Sequence, residues 1–160
     1  MNLSTLAAHK LIALEPLIKQ VAYWKYTGDK IVFTNGCFDV FHPGHLHLLK
    51  QASLLGNKLI IGLNNDASIQ RLKGLSRPIF NDIQRADLLC NLSIVDAVVL
   101  YQEDTPIHII NALLPNFLVK GGDYKAEEIV GYNETIKAGG QVVIIPTLIG
   151  YSSTKLINVN

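Results

Sequence analysis

Two histidines, His42 and His45, stand three residues apart where an apolar run hands over to an amphipathic one. Lys30-Ile-Val-Phe33 reads as a buried strand, and Leu46-His-Leu-Leu-Lys-Gln-Ala-Ser-Leu-Leu55 reads as a helix. Between them runs Thr34-Asn-Gly-Cys-Phe-Asp-Val-Phe-His-Pro-Gly-His45. In open α/β sheets, ligands bind at the carboxyl ends of strands. A helix start there offers unpaired N–H groups and a positive dipole end, which suit phosphate. Pro43 fits the first helical position, and Gly44 leaves room for a ligand beside the backbone. Two imidazoles on one helix face could donate to a phosphate whose charge grows in a transition state. The same residues could form a plain capping turn, or a metal site with His47. His47 lies about 200° round the helix from His45. No cysteine or carboxylate cluster completes a ligand set, so no metal held by the protein alone is expected.

The elements that must position these residues alternate. Strands are expected at 30–35, 58–64, 96–101, 116–120 and 141–146, short and rich in Val, Ile and Leu, as buried parallel strands are. Helical patterns fall near 43–56, 66–72, 81–93, 105–113 and 126–138, with a last helix starting near Ser153. This order implies a Rossmann-like three-layer α/β/α fold around a five-stranded parallel sheet. Residues 3–25 carry apolar residues at helical spacing and read as one or two helices, broken near Glu15-Pro16. They form an N-terminal helical extension (1–28) ahead of the main domain (29–160) within one globular unit, either covering a sheet face or serving a homodimer. Lys73-Gly-Leu-Ser-Arg-Pro-Ile79 reads as a mobile loop.

At 160 residues the chain can bury one sizeable core, and 49% hydrophobic content fits that. A formal charge of +1 argues against a nucleic-acid partner. No apolar run approaches the roughly 18 residues of a membrane span. Two cysteines and a beginning without an apolar leader point to a cytoplasmic location.

Neither G-x-G-x-x-G after the first strand nor G-x-x-x-x-G-K-[ST] is present, which removes the dehydrogenase and P-loop readings. The run Thr34, Gly36, Phe38, Asp39, His42, Gly44, His45 resembles, without a gap, the T-x-G-x-F-D-x-x-H-x-G-H signature of the nucleotidylyltransferase superfamily. Gly150-Tyr-Ser-Ser-Thr-Lys155 reads as a helix cap and first turn, with Ser152, Ser153 and Thr154 forming a second phosphate cradle. It is similar to the superfamily's I-S-S/T-T motif. Asn64-Asn65-Asp66, Arg71-Leu-Lys73-Gly74, Arg77-Pro78, Gln84-Arg85 and Lys120-Gly-Gly-Asp-Tyr124 resemble the heptose 1-phosphate adenylyltransferase branch. Glycerol-3-phosphate cytidylyltransferases, the alternative, carry arginine where Thr147 stands and lack K-G-G-D-Y. A non-catalytic nucleotide-binding domain would be expected to lack one of the histidines.

The resemblance implies transfer of AMP from ATP to a sugar 1-phosphate with release of pyrophosphate, by direct in-line attack, with Mg²⁺ on the triphosphate. ATP and the sugar 1-phosphate are the partners it implies. It makes His42, His45 and Lys73 catalytic, the histidines on the α- and β-phosphates and Lys73 closing over the triphosphate. It puts Thr34, Asn35, Gly36, Phe38, Gly44, Arg85, Lys120, Gly122, Asp123, Ser152, Ser153 and Thr154 on the nucleotide. Arg85 would touch phosphate and Asp123 the ribose or base. Asp39, Asn64, Asp66 and Arg77 would face the acceptor, although Asp39 could equally cap backbone. Cys37 is expected to be a packed, inert thiol.

Overall fold

The structure is a computed structural model that describes residues 5–148, so Ser152, Ser153, Thr154 and the last expected helix lie outside the described residues. Five strands, β1 (Ile31–Gly36), β2 (Lys58–Asn64), β3 (Ala97–Tyr101), β4 (Phe117–Gly121) and β5 (Gln141–Ile145), form one sheet. All pairings are parallel, in the order β3-β2-β1-β4-β5. The order reverses between β1 and β4, and in such sheets the crevice outside that switch point is where ligands bind.

Side chains alternate across the sheet, as the two-residue period of a strand requires. Val32, Leu59, Ile61, Val98 and Val119 fill one face beneath α3 (Pro43–Ser53) and α5 (Asp82–Cys90). Ile31, Phe33, Ile60, Val99 and Leu118 fill the other beneath α2 (Leu14–Tyr26) and α6 (Ile107–Leu113). The expected α/β/α layering and five-stranded sheet are therefore present. No described helix is long and apolar enough to cross a membrane.

Two expected helices differ. The leading segment breaks at Leu11–Ala13, between α1 (Thr5–Lys10) and α2, rather than at Glu15-Pro16. Pro16 sits in the first turn of α2, where backbone N–H groups have no helical partner to lose. The break has a function of its own. Leu11 bridges to Val98, and Ile12 N donates to Val98 O at 2.9 Å, which covers the outer edge of β3. Leu17 and Val21 then bury against the sheet, so α2 covers a sheet face, while Tyr23 and Tyr26 stay exposed on its outer side. The helix expected over 126–138 is split into a 3-10 turn (Ala126–Glu128) and α7 (Tyr132–Lys137). Gly131 sits between them at φ +91°, and a Cβ there would lie 2.5 Å from Ile110 Cδ1. The remaining described helix, α4 (Asp66–Lys73), follows β2 and is capped by Asn65, whose side chain accepts from Ser68 N.

Leu17 is fully buried between α2 and the sheet. Leu17→Ala should lower unfolding free energy by about 2–5 kcal/mol in denaturant titrations. A cost near zero would mean that α2 is not part of the core.

Candidate active site

At the switch point a cavity of about 380 Å³ opens at the carboxyl ends of β1, β4 and β5. Asn35, Gly36, Cys37 and Phe38 come from β1 and the turn after it. His42, Gly44, His45 and Leu48 come from the start of α3, and Lys73 from the last turn of α4. Lys120, Gly121 and Tyr124 close one side, and Ile145 to Leu148 the other. Two histidines and two lysines line this cavity, and no carboxylate does among the described residues.

The local chemistry of α3 sets the histidines. His42 is its N-cap, with extended backbone, and Pro43 is its first residue. The His42 Nδ1 accepts a hydrogen bond from Gly44 N at 3.1 Å. An accepting Nδ1 carries no proton, so in the neutral ring the proton is on Nε2. The His42 and His45 rings stack with centroids 3.8 Å apart and planes 23° from parallel. Phe38 and Phe41 flank His45 at 5.1 and 5.6 Å. Burial is the first cause that brings the His45 pKa down to about 4, with the charges of His42 and Lys73 adding to it. Burial also lowers the pKa of His42. Both rings are thus neutral at pH 7 in the free protein and can donate without bringing a charge of their own. The His45 Nδ1 is buried without a partner.

The lysines supply charge. Lys120 Nζ lies 3.4 Å from Asn35 O and 3.3 Å from Asn35 Oδ1. Burial is the first cause that lowers its pKa, with Cys37 opposing it, and its hydrogen-bond partners among the described residues are neutral acceptors. An anion in the cavity would relieve that cost. Lys73, exposed, ends α4 immediately before Gly74, which adopts φ +95°.

The structure moves several expected ligands away from the cavity. Arg85, expected on phosphate, is 2% exposed and bonds to the protein instead. Its Nε donates to Phe80 O at 2.9 Å, and one terminal nitrogen donates to Cys37 O at 2.7 Å and Asn64 O at 2.8 Å. The other terminal nitrogen meets Asp66 Oδ1 at 2.7 Å, so Asp66, expected at the acceptor, is Arg85's counter-ion. Asp39, 2% exposed, accepts from Ile79 N at 2.7 Å and Phe80 N at 3.2 Å, and pairs with Arg77. The backbone-capping alternative for Asp39 describes what it does here. Asn64 is buried and bonded to Ser68 and Tyr101. Thr34 is fully buried, its hydroxyl without a partner. In the Lys120–Tyr124 run, Gly121 and Tyr124 line the cavity, while Gly122 and Asp123 do not. Cys37 lines it, with its thiol 4.0 Å from Asn64 Oδ1.

Leu48 and Pro146 were not singled out from sequence. Leu48 lies one helical turn beyond His45, so the i, i+3 spacing already put it on that face. Pro146 follows the last strand, at the same carboxyl edge as the other lining residues.

Arg85→Ala should cost ~3 kcal/mol in stability, because Asp66 and three carbonyls lose their partner. An unchanged melting temperature with weakened nucleotide binding would instead mark Arg85 as a phosphate ligand. Since the folded His45 pKa of about 4 lies below the ordinary 6.5, the unfolded chain takes up its proton first as pH falls. Ligand-free protein should therefore lose stability between pH 6.5 and 4. Denaturant midpoints at about pH 7 and pH 5 should differ less in His45→Gln than in the parent.

A family model described as cytidylyltransferase-like matches residues 33–159. The bifunctional protein HldE of Hyphomonas neptunium is 48% identical over 147 residues, which are 92% of this chain and 30% of that protein. HldE of Bradyrhizobium diazoefficiens is 47% identical over 155 residues, 96% of this chain and 31% of that protein. The chain thus spans about a third of the length of these curated relatives. Among solved structures, the lipopolysaccharide core biosynthesis protein of Thermoplasma volcanium superposes with a TM-score of 0.62 at 28% identity, over 76% of this chain and 98% of that one.

Proposed function

Given that the chain belongs to the cytidylyltransferase-like family, we propose that it moves AMP from ATP to D-glycero-β-D-manno-heptose 1-phosphate and releases pyrophosphate. The observation that carries this reading is the cavity at the switch point, lined by His42, His45, Lys73 and Lys120 and, among the described residues, by no carboxylate. Such a lining suits a polyphosphate and repels nothing anionic. The family supports nucleotidyl transfer. The similarity to HldE proteins, and to a protein of lipopolysaccharide core biosynthesis, supports a heptose phosphate as acceptor. Thr147, where related cytidylyltransferases carry arginine, lines the same cavity and supports the adenylyl branch.

In this reading an oxygen of the sugar phosphate attacks the α-phosphorus in line, and the bond to the departing pyrophosphate breaks. Catalysis of this kind is mostly positioning and charge stabilisation, so no covalent nucleophile is needed. The Nε2–H of His42 is held toward use by the Gly44 hydrogen bond on the other ring nitrogen. With His45 stacked on it, two neutral donors stand ready where negative charge grows. Lys120 adds fixed charge from β4, and Lys73 adds charge from the end of α4. Among the described residues no group of three His, Cys, Asp or Glu could hold a cation. A Mg²⁺ would be held with the nucleotide rather than by these side chains, and would supply charge that offsets the phosphates.

His45→Ala should lower turnover by about 10²–10³, the cost of one preorganised donor, while the protein stays folded. The assay is pyrophosphate release with ATP or CTP against a panel of sugar and polyol phosphates. ATP with heptose 1-phosphate should give the highest rate. Turnover with CTP and glycerol 3-phosphate alone would overturn the adenylyl assignment.

A further inference from the structure

Behind the cavity, polar side chains join the ends of four strands. Ser68 Oγ donates to Glu103 O at 3.0 Å, and Asn64 Nδ2 donates to Ser68 Oγ at 2.9 Å. Tyr101 Oη donates to Asn64 Oδ1 at 2.9 Å, and Asn35 Nδ2 donates to Tyr101 Oη at 3.1 Å. Asn35 Oδ1 then accepts from Lys120 Nζ at 3.3 Å. Ser68 is fully buried, Asn64 is 3% exposed and Tyr101 is 6% exposed.

The direction of this chain follows from its far end. A backbone carbonyl can only accept, so the Ser68 hydroxyl must give its one proton to Glu103 O. Its oxygen must then accept from the Asn64 amide nitrogen, which turns the Asn64 oxygen toward Tyr101. Tyr101 must donate its proton there, and so it accepts from Asn35 Nδ2. Asn35 is thereby oriented with its oxygen, not its NH₂, toward Lys120. A flipped Asn35 would set two donors against an ammonium whose hydrogen bonds among the described residues all go to Asn35. Burial raises the Tyr101 pKa to about 12, so its hydroxyl keeps the proton it must donate.

We propose that Tyr101 and Ser68 are positioning residues for nucleotide binding, fixing the Asn35 amide so that Lys120 is held in the cavity. The idea rests on the nucleotide-binding reading of that cavity. Tyr101 itself touches no phosphate and acts only through Asn35 and Lys120.

The experiment is a double-mutant cycle on the dissociation constant of ATP with Mg²⁺, measured by calorimetry for the parent, Tyr101→Phe, Lys120→Ala and the double variant. Tyr101→Phe should bind ATP about tenfold more weakly, the upper scale of one neutral hydrogen bond. In the Lys120→Ala background the same substitution should change binding less than twofold. Equal factors in both backgrounds, or no effect of Tyr101→Phe on the parent, would overturn the proposal. A parent that binds neither ATP nor CTP would instead overturn the nucleotide reading, which separates the two failures. Ser68→Ala, run through the same cycle, should show the same dependence on Lys120 and carries the test if Tyr101→Phe does not fold.

Discussion

Arg85 is the interaction on which the rest of the site depends. A guanidinium taken out of water is tolerated only when its donors find acceptors in good geometry. Here those acceptors are Cys37 O beyond β1, Asn64 O at the end of β2, Phe80 O before α5 and the Asp66 carboxylate at the start of α4. One side chain therefore fixes four segments against each other. Asp39 does the same in the opposite direction, reaching from the histidine turn to Ile79 N, Phe80 N and Arg77. Two buried charges of opposite sign, each bonded into the other's neighbourhood, clasp the turn to the loop before α5.

That clasp explains how the turn holds a conformation it would not choose. Phe38 has φ +45°, a left-handed backbone that costs a residue with a bulky side chain about 1–3 kcal/mol. The conformation puts the Phe38 ring into the core, 5.1 Å from His45. With the turn fixed, His42 can cap α3 and stack on His45, and both rings lose water and become neutral. The site is thus charged by its lysines and oriented by its histidines. A second network, through Tyr101 and Asn64, orients the Asn35 amide beside Lys120.

Much of this was legible in the chain. Buried parallel strands are apolar on both faces, so all five strands stood out as short runs, and the turn after the first carried its own chemistry. The ligand edge followed from the strand-to-helix hand-over, since ligands bind at the carboxyl ends of strands in such sheets. What sequence could not separate was the direction in which a polar side chain points. An arginine after a glycine- and proline-bearing loop suits a phosphate as well as three carbonyls, and Arg85 meets acceptors from residues 37, 64, 66 and 80, brought together only by folding. Asp66 and Asn64 also sit at the ligand edge, yet face the interior network rather than the cavity. Pro16 misled for a different reason: in a first turn proline marks where a helix begins, not where it breaks. Gly131 was visible as a letter, but its left-handed φ and the absence of room for a Cβ beside Ile110 are set by the folded packing.

In the proposed function, nucleotide occupies the cavity at the β1–β4 switch point. A second cavity lies beside β3, lined by Asn65, Tyr101, Gln102, Glu103 and His108. Backbone amide shifts followed by two-dimensional NMR during titration with ATP and Mg²⁺ distinguish the two. The largest changes are expected at Asn35, Gly36, Gly44, His45, Lys120 and Gly121. Changes concentrated at Gln102, Glu103 and His108, with the histidine turn unmoved, would contradict it.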